Sequence, residues 1–441
     1  MKINRFFAIF LIGCIFTGLF SGTKVYADNL GLPEFPEIES SNIVLMDADS
    51  REVLFAKNPN LKSYPASTTK LLTALLVLEN CGLQDVVTYS ERAVDSIEYG
   101  DANASISAGE ELMVEQSLYC LLLRSANEVA YGLAEHVSGN LSSFATLMNS
   151  KAEAIGAVNS HFTNASGLTD EFHYTTPYDM ALIASECFNN KELMKVAGYS
   201  GMYVIGPTNK SNFTRYYTPR FEMLDGGDYA YEYACGGKTG YTDAAGNCLV
   251  SFAEKDGLRL VCVVFNSGAA TRYNDTEALF DYYLNNYKKI YIDDFDAVIS
   301  NTDIDLLNLT KSLSSKENVT LGFKDNAYLL VPNSVRKDKL ATIATYYDSP
   351  GYVGEEGGFA CLSFFYENTN VGNATIYIKS SNSSDNIYTG DKVIHRTEYF
   401  FINIWYIVGA IVLIVAIITI IIVVNRRKWR YSNYISKNLR F

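Results

Sequence analysis

The sequence predicts an α+β domain over residues 28–290, a small antiparallel, β-sandwich-like module over 291–385, and one membrane-spanning helix over 404–424. Three observations predict this. Apolar runs with helical periodicity in the middle of the first segment are bracketed on both sides by strand-like runs. The following segment holds only short strand-like runs broken by Gly, Asn and Asp. Residues 404–424 are 21 residues without a single charge, which at ~1.5 Å per residue spans roughly 31 Å. With 441 residues, 48% hydrophobic and 19% charged, the chain is long enough for two or three domains with a sizeable core. Its net charge of −13 argues against a nucleic-acid partner, because phosphate binding needs a basic face and the few basic clusters lie at the two ends.

At the N-terminus, Lys2 and Arg5 precede an apolar run over 6–20, and Val25 and Ala27 stand at −3 and −1 of a cleavage point. Residues 1–27 therefore read as a cleaved secretory signal. Runs 42–47 and 51–56, joined by Ala-Asp-Ser, read as a hairpin. A helix follows in Pro65-Ala-Ser-Thr-Thr-Lys-Leu-Leu-Thr-Ala-Leu-Leu-Val-Leu78, with Pro suited to its first turn and almost no polar face beyond. Ser67 and Lys70, three apart, share a face at its start. Backbone N–H groups and the positive end of the helix dipole gather there, and burial lowers a lysine's pKa, so an amine can become the base for a serine. Alone, Ser-x-x-Lys reads equally well as a helix cap followed by a surface lysine.

Residues 85–111 read as loops with short strands, and 112–123 and 127–137 as apolar-periodic helices meeting at Arg124-Ser-Ala-Asn127. By themselves Ser125 and Asn127 simply end one helix and cap the next. Phe162-Thr-Asn-Ala-Ser-Gly-Leu168 is a turn-rich loop, and Thr176-Pro opens another helix. In Cys235-Gly-Gly-Lys-Thr-Gly-Tyr-Thr242 the glycines around Lys238 and Thr239 let the backbone approach a ligand closely, as an edge strand lining a cleft would. Strands over 247–253 and 258–265 and a helix over 275–288 close the domain. The module's expected strands are 319–323, 327–331, 340–346, 359–366 and 374–378, and a polar connector covers 386–403. The tail over 425–441 carries Arg426, Arg427, Lys428 and Arg430, which keeps it cytoplasmic and the rest outside. Of the eight cysteines, Cys14 leaves with the signal. The remaining odd number makes no complete disulfide framework, and they read as small buried hydrophobes, with Cys235 beside a site motif as the candidate reactive thiol.

Ser67-x-x-Lys70, Ser125-x-Asn127 and Lys238-Thr239-Gly240, in this order and at domain-scale spacing, resemble the three motifs of penicillin-recognising serine enzymes. Their surroundings, Pro-Ala-Ser-Thr-Thr-Lys, Asn-Ala-Ser-Gly-Leu and Gly-x-Lys-Thr-Gly-Tyr-Thr-Asp-x-Ala-Gly, are similar to those of serine-type D-alanyl-D-alanine carboxypeptidases among the low-molecular-mass penicillin-binding proteins. The resemblance is close over roughly 40–290 and looser beyond. Family members are often held by an amphipathic C-terminal helix, whereas this chain has a full span and a basic tail. The resemblance implies a penicillin-binding/β-lactamase-like fold and hydrolysis of the terminal D-Ala-D-Ala bond of peptidoglycan stem peptides. It also implies acylation by β-lactams and no cofactor. Residue by residue, it makes Ser67 the nucleophile and Lys70 its base, with the N–H groups of Ser67 and Tyr241 as oxyanion hole. Ser125 would relay a proton to the leaving amine and Asn127 would hold the substrate amide. Lys238 and Thr239 would face the substrate carboxylate, with Arg272 as a second contact.

Competing chemistries fit less well. A Ser-His-Asp hydrolase needs a site histidine, and there is no Gly-x-Ser-x-Gly and only four His. A zinc peptidase needs His-x-x-x-His or paired cysteines, and neither is present. A class A β-lactamase needs a deacylating Glu roughly forty residues past Ser-x-Asn, where this chain has His161-Phe-Thr-Asn-Ala. A non-catalytic wall-binding or sensor protein that kept the cleft is the reading from another class, against which stand the intact Ser67, Lys70 and Lys238.

Overall fold

The computed structural model describes residues 30–292, 319–346 and 358–380. Among these residues no helix is long and apolar enough to cross a membrane. The expected signal, connector, 404–424 span and basic tail lie outside them.

Strands β1 (Asn42–Asp47) and β2 (Val53–Lys57) form the expected hairpin. A 3₁₀ turn, Ala66–Thr69, leads into α1 (Lys70–Asn80), so Ser67 stands on the turn before the α-helix rather than within it. The Thr68 hydroxyl donates to Pro65 O at 2.7 Å and tightens this turn. Next come β3 (Val86–Thr88), α2 (Glu91–Asp95) and β4 (Glu111–Met113). Because β4 pairs with β3, helix α3 (Val114–Leu123) starts later than its apolar pattern suggests. Helices α4 (Asn127–Ser138), α5 (Leu141–Ile155), α6 (Pro177–Asn189) and α7 (Lys191–Ala197) follow. Neither α5 nor α7 was expected. Yet α5 buries Phe144, Met148, Ala152 and Ile155, a helical spacing, and is capped by Asn140, whose Oδ1 accepts the Ser143 N–H at 2.9 Å.

A short hairpin, β5 (Tyr203–Ile205) with β6 (Arg215–Tyr217), precedes β7 (Ala234–Thr242), β8 (Gly246–Lys255) and β9 (Leu258–Ser267). These three join the first hairpin in an antiparallel sheet of order β2-β1-β9-β8-β7, which puts β7 at an edge as its glycines suggest. Side chains alternate between two cores, as a period of two dictates. Val44, Met46, Val250, Phe252, Val261 and Val263 face the large helical layer that includes α1, α3 and α4. Ile43, Leu45, Leu249, Leu260 and Val264 face α8 (Thr271–Asn286).

Strand β10 (Tyr287–Tyr291) leaves α8 and pairs with β12 (Tyr328–Pro332), not with the main sheet. The remaining strands, β11 (Val319–Gly322), β13 (Ala341–Tyr346), β14 (Gly358–Tyr366) and β15 (Thr369–Ser380), make an antiparallel sheet of order β11-β15-β14-β13. This module has its own core, which also takes in Leu30 from the start of the described chain. It touches the domain at the β1–β2 turn, where Tyr328 OH donates to Asp47 Oδ2 at 2.7 Å and Lys289 Nζ to Asp49 Oδ2 at 2.6 Å.

Candidate active site

Ser67 lies where three elements meet: the 3₁₀ turn, the edge strand β7 and the 164–168 loop. Close backbone approach makes this possible. A Cβ on Gly240 would lie 3.1 Å from Ser67 N, and a Cβ on Gly167 would lie 1.8 Å from Ala66 O. Gly167 also has φ +85, in the left-handed region, so no other residue fits there. Asn164 knots the loop: its Oδ1 accepts the N–H of Gly167 at 2.7 Å and of Ser166 at 3.2 Å.

Lys70 is fully buried. Its Nζ lies 3.0 Å from Ser67 Oγ, 2.7 Å from Asn127 Oδ1 and 2.6 Å from the Ser166 carbonyl oxygen. Burial holds its pKa well below the ordinary lysine value, and the charge on Lys238 pushes the same way. The amide and backbone carbonyl oxygens can only accept. A neutral amine that donates its two hydrogens to them turns its lone pair toward Ser67 O–H, the geometry of a base for that hydroxyl.

A cleft of about 1210 Å³ opens over this centre, lined by Ser67, Ser125, Asn127, Thr239, Tyr241 and Arg272 among others. Ser125 sits between α3 and α4 with φ +60, and its buried Oγ has no hydrogen-bond partner. Both features are costly and are held in place by the surrounding fold, as is common at functional sites. Lys238 is buried, and its Nζ donates to Thr239 O at 2.7 Å. Burial brings its pKa down to about 7, helped by Arg220 and Arg272. The Arg272 guanidinium donates to Cys248 O at 3.2 Å and packs on the Tyr273 ring, while its Nε is buried without a partner. The Tyr241 side chain is exposed and donates its hydroxyl to Asp243, another residue of the cleft lining, at 3.1 Å.

Several contributors escaped the sequence reading. Arg220 lines the cleft and belongs to no motif. Glu128, next to Asn127, accepts the Ala104 N–H at 2.6 Å, and Asn127 N donates to Ala102 O at 2.8 Å, which fastens the strap over 98–106 to the cleft wall. His173, which belongs to no motif, pins the site from behind. Its Nδ1 accepts the Thr163 N–H at 3.1 Å, so Nε2 carries the hydrogen and donates to Thr69 Oγ1 at 3.0 Å. Burial pushes His173 down to about 4, which keeps it neutral. Cys235 moves the other way. Burial pushes its thiol up to about 11, so it has no reactive thiolate character, and all seven cysteines among the described residues are free.

The comparisons agree with this geometry. The family model for D-alanyl-D-alanine carboxypeptidase matches residues 31–269. The chain is 32% identical over 256 residues to the D-alanyl-D-alanine carboxypeptidase DacF of Bacillus subtilis, a match covering 57% of this chain and 63% of that protein. The D-alanyl-D-alanine carboxypeptidase structure from Mycobacterium tuberculosis is 28% identical, with a TM-score of 0.52 over 57% of this chain and 93% of that one. A Francisella tularensis structure, described as D-alanyl-D-alanine carboxypeptidase DacD, shares the fold over 80% of this chain and 97% of its own, with a TM-score of 0.61 and 23% identity. By its matched domain, its fold and its three motifs around one cleft, the chain belongs to the D-alanyl-D-alanine carboxypeptidase family of serine peptidases.

Proposed function

We propose that this chain hydrolyses the terminal D-Ala-D-Ala bond of peptidoglycan stem peptides through an acyl-enzyme on Ser67, and that β-lactams acylate the same serine. The contact between Lys70 Nζ and Ser67 Oγ at 3.0 Å, with the amine's other neighbours both pure acceptors, carries this reading. Ser67 Oγ attacks the peptide carbonyl as its proton passes to Lys70 Nζ. The oxyanion is stabilised by the N–H groups of Ser67 and Tyr241. Ser125 Oγ, otherwise unpartnered, relays the proton to the leaving D-alanine nitrogen, and water then cleaves the ester. Asn127 has two roles, fixing Lys70 and holding the substrate amide. Lys238, Thr239 and Arg272, with Arg220 added, form the field that receives the substrate carboxylate.

The experiment is release of D-alanine from a peptide ending in D-Ala-D-Ala, compared with the same peptide amidated at its C-terminus. A charge-assisted hydrogen bond contributes about 1.5–3 kcal/mol, so the amide is expected to lose roughly 10–150-fold in kcat/KM. Equal turnover of acid and amide would leave a broader amidase or a β-lactamase-like hydrolase instead. No release from either would favour the non-catalytic wall-binding reading.

The charge-free run over 404–424 and its basic flank further support a single-pass anchor, with residues 28–403 outside the cell and 425–441 inside. Protease added to intact protoplasts is expected to remove the ectodomain and spare a C-terminal tag; loss of the tag would reverse that topology.

A further inference from the structure

Away from the cleft, three side chains of metal-ligating type converge. Cys81 Sγ, an Asp85 carboxylate oxygen and a His136 ring nitrogen all lie within 4.8 Å of one another. Cys81 follows the last residue of α1, and His136 is in the last turn of α4. Asp85 is fixed by the Gly82 N–H, which donates to its Oδ2 at 2.8 Å. Among the described residues, neither the Cys81 thiol nor the His136 ring has a hydrogen-bond partner.

The ligand set is informative. Thiolate, imidazole and carboxylate are the donors that zinc and its borderline-soft neighbours take together, whereas calcium and magnesium sites are built from oxygen. Tetrahedral bonds of about 2.0–2.3 Å put neighbouring ligand atoms roughly 3.3–3.8 Å apart, so side-chain rotations of about 1 Å close the site. Asp85 and His136 are exposed and Cys81 is half-buried, which gives an ion a way in. Both helices end here, and the carbonyl ends of their dipoles favour a cation.

We propose that Cys81, Asp85 and His136 form a zinc-class divalent-metal site with water as the fourth ligand. On binding, a sulfur–metal bond replaces the Cys81 S–H bond and the proton leaves to solvent. The site's place in the fold gives it a purpose. Its two helices begin at Lys70 and Asn127, whose side chains are bonded at 2.7 Å in the catalytic centre. Helix α1 is 11 residues long, roughly 16 Å, so the metal would clamp the far ends of the helix pair without touching the reaction.

Cobalt(II) titrated into the metal-free full-length protein tests this. One equivalent is expected to give a thiolate-to-cobalt charge-transfer band in the near ultraviolet, which zinc then abolishes by displacement. Cys81→Ser should lose the band. His136→Ala and Asp85→Asn should each weaken binding by at least about tenfold, and zinc should raise the melting temperature of the wild type but not of Cys81→Ser. No band in the wild type, or an undiminished band in Cys81→Ser, would overturn the assignment.

Discussion

Lys70 has no carboxylate at hydrogen-bond distance; its three close neighbours are a hydroxyl, an amide oxygen and a peptide oxygen. Burial and the charge on Lys238 lower its pKa by more than Glu128 and Asp101 raise it through space, so a neutral base is what the environment favours. Lys70→Ala is expected to slow acylation by roughly 10²–10⁴-fold. Lys70→Arg should be nearly as slow, since a guanidinium keeps its proton; an active Arg variant would show that only a cation is needed. In the proposed reaction Lys238 is the opposite case, required with its proton on. In the free protein burial and the two arginines hold it down to about 7. As pH rises through that value the charge is lost, so kcat/KM for a carboxylate-terminated peptide should fall above pH ~7. An amidated peptide should lack that limb. A pH–rate profile with identical alkaline limbs for both would remove Lys238 from carboxylate recognition.

At the scale of elements, the site depends on three backbones in contact: the 66–69 turn, β7 and the 164–168 loop. Gly167→Ala would force a Cβ to 1.8 Å from Ala66 O at a φ of +85. The strain is expected to cost at least ~2 kcal/mol, a melting-temperature drop of about 4–8 °C for a domain of this size, together with most of the acylation rate. A variant with unchanged melting and acylation would show that the loop can move aside. His173→Ala removes the hydrogen bonds to Thr69 and Thr163 while sparing every motif residue, and should lower stability by about 1–3 kcal/mol. The sequence made the chemical face of this assembly legible, because Ser67, Lys70, Ser125, Asn127 and Lys238 sit in local patterns whose spacing has a meaning on a helix or strand. It was silent on the supports. His173 and Glu128 reach their partners through tertiary contacts that no periodicity encodes, Arg220 lies in an irregular segment, and Ser166 contributes a carbonyl that any residue carries. The unread helices include α2, inside the stretch expected to be loops with short strands, and α5 and α7, which are capped by Asn140 and Asn190; the β5–β6 hairpin is also unread. The α5 apolar spacing was available, whereas α7 spans only 7 residues, too few to show a period.

For the molecule as a whole, β10 continues from α8 into the module and Leu30 packs into the module's core, so the two parts share structure at both ends of the domain. A chain cut after residue 292 would leave β10 unpaired and expose Ile290 and Ile292, which are buried now. It is expected to melt lower and aggregate more than 28–385, while 28–385 keeps full activity because every motif lies within it. Equal melting of the two would mean that the module does not support the domain. The catalytic expectations rest on Ser67 becoming covalently acylated. Mass spectrometry of the intact protein after incubation with benzylpenicillin tests that most directly. One adduct per chain is expected, mapped to the peptide containing Ser67 and absent from Ser67→Ala. An unmodified wild type, or an adduct that persists in Ser67→Ala, would contradict it.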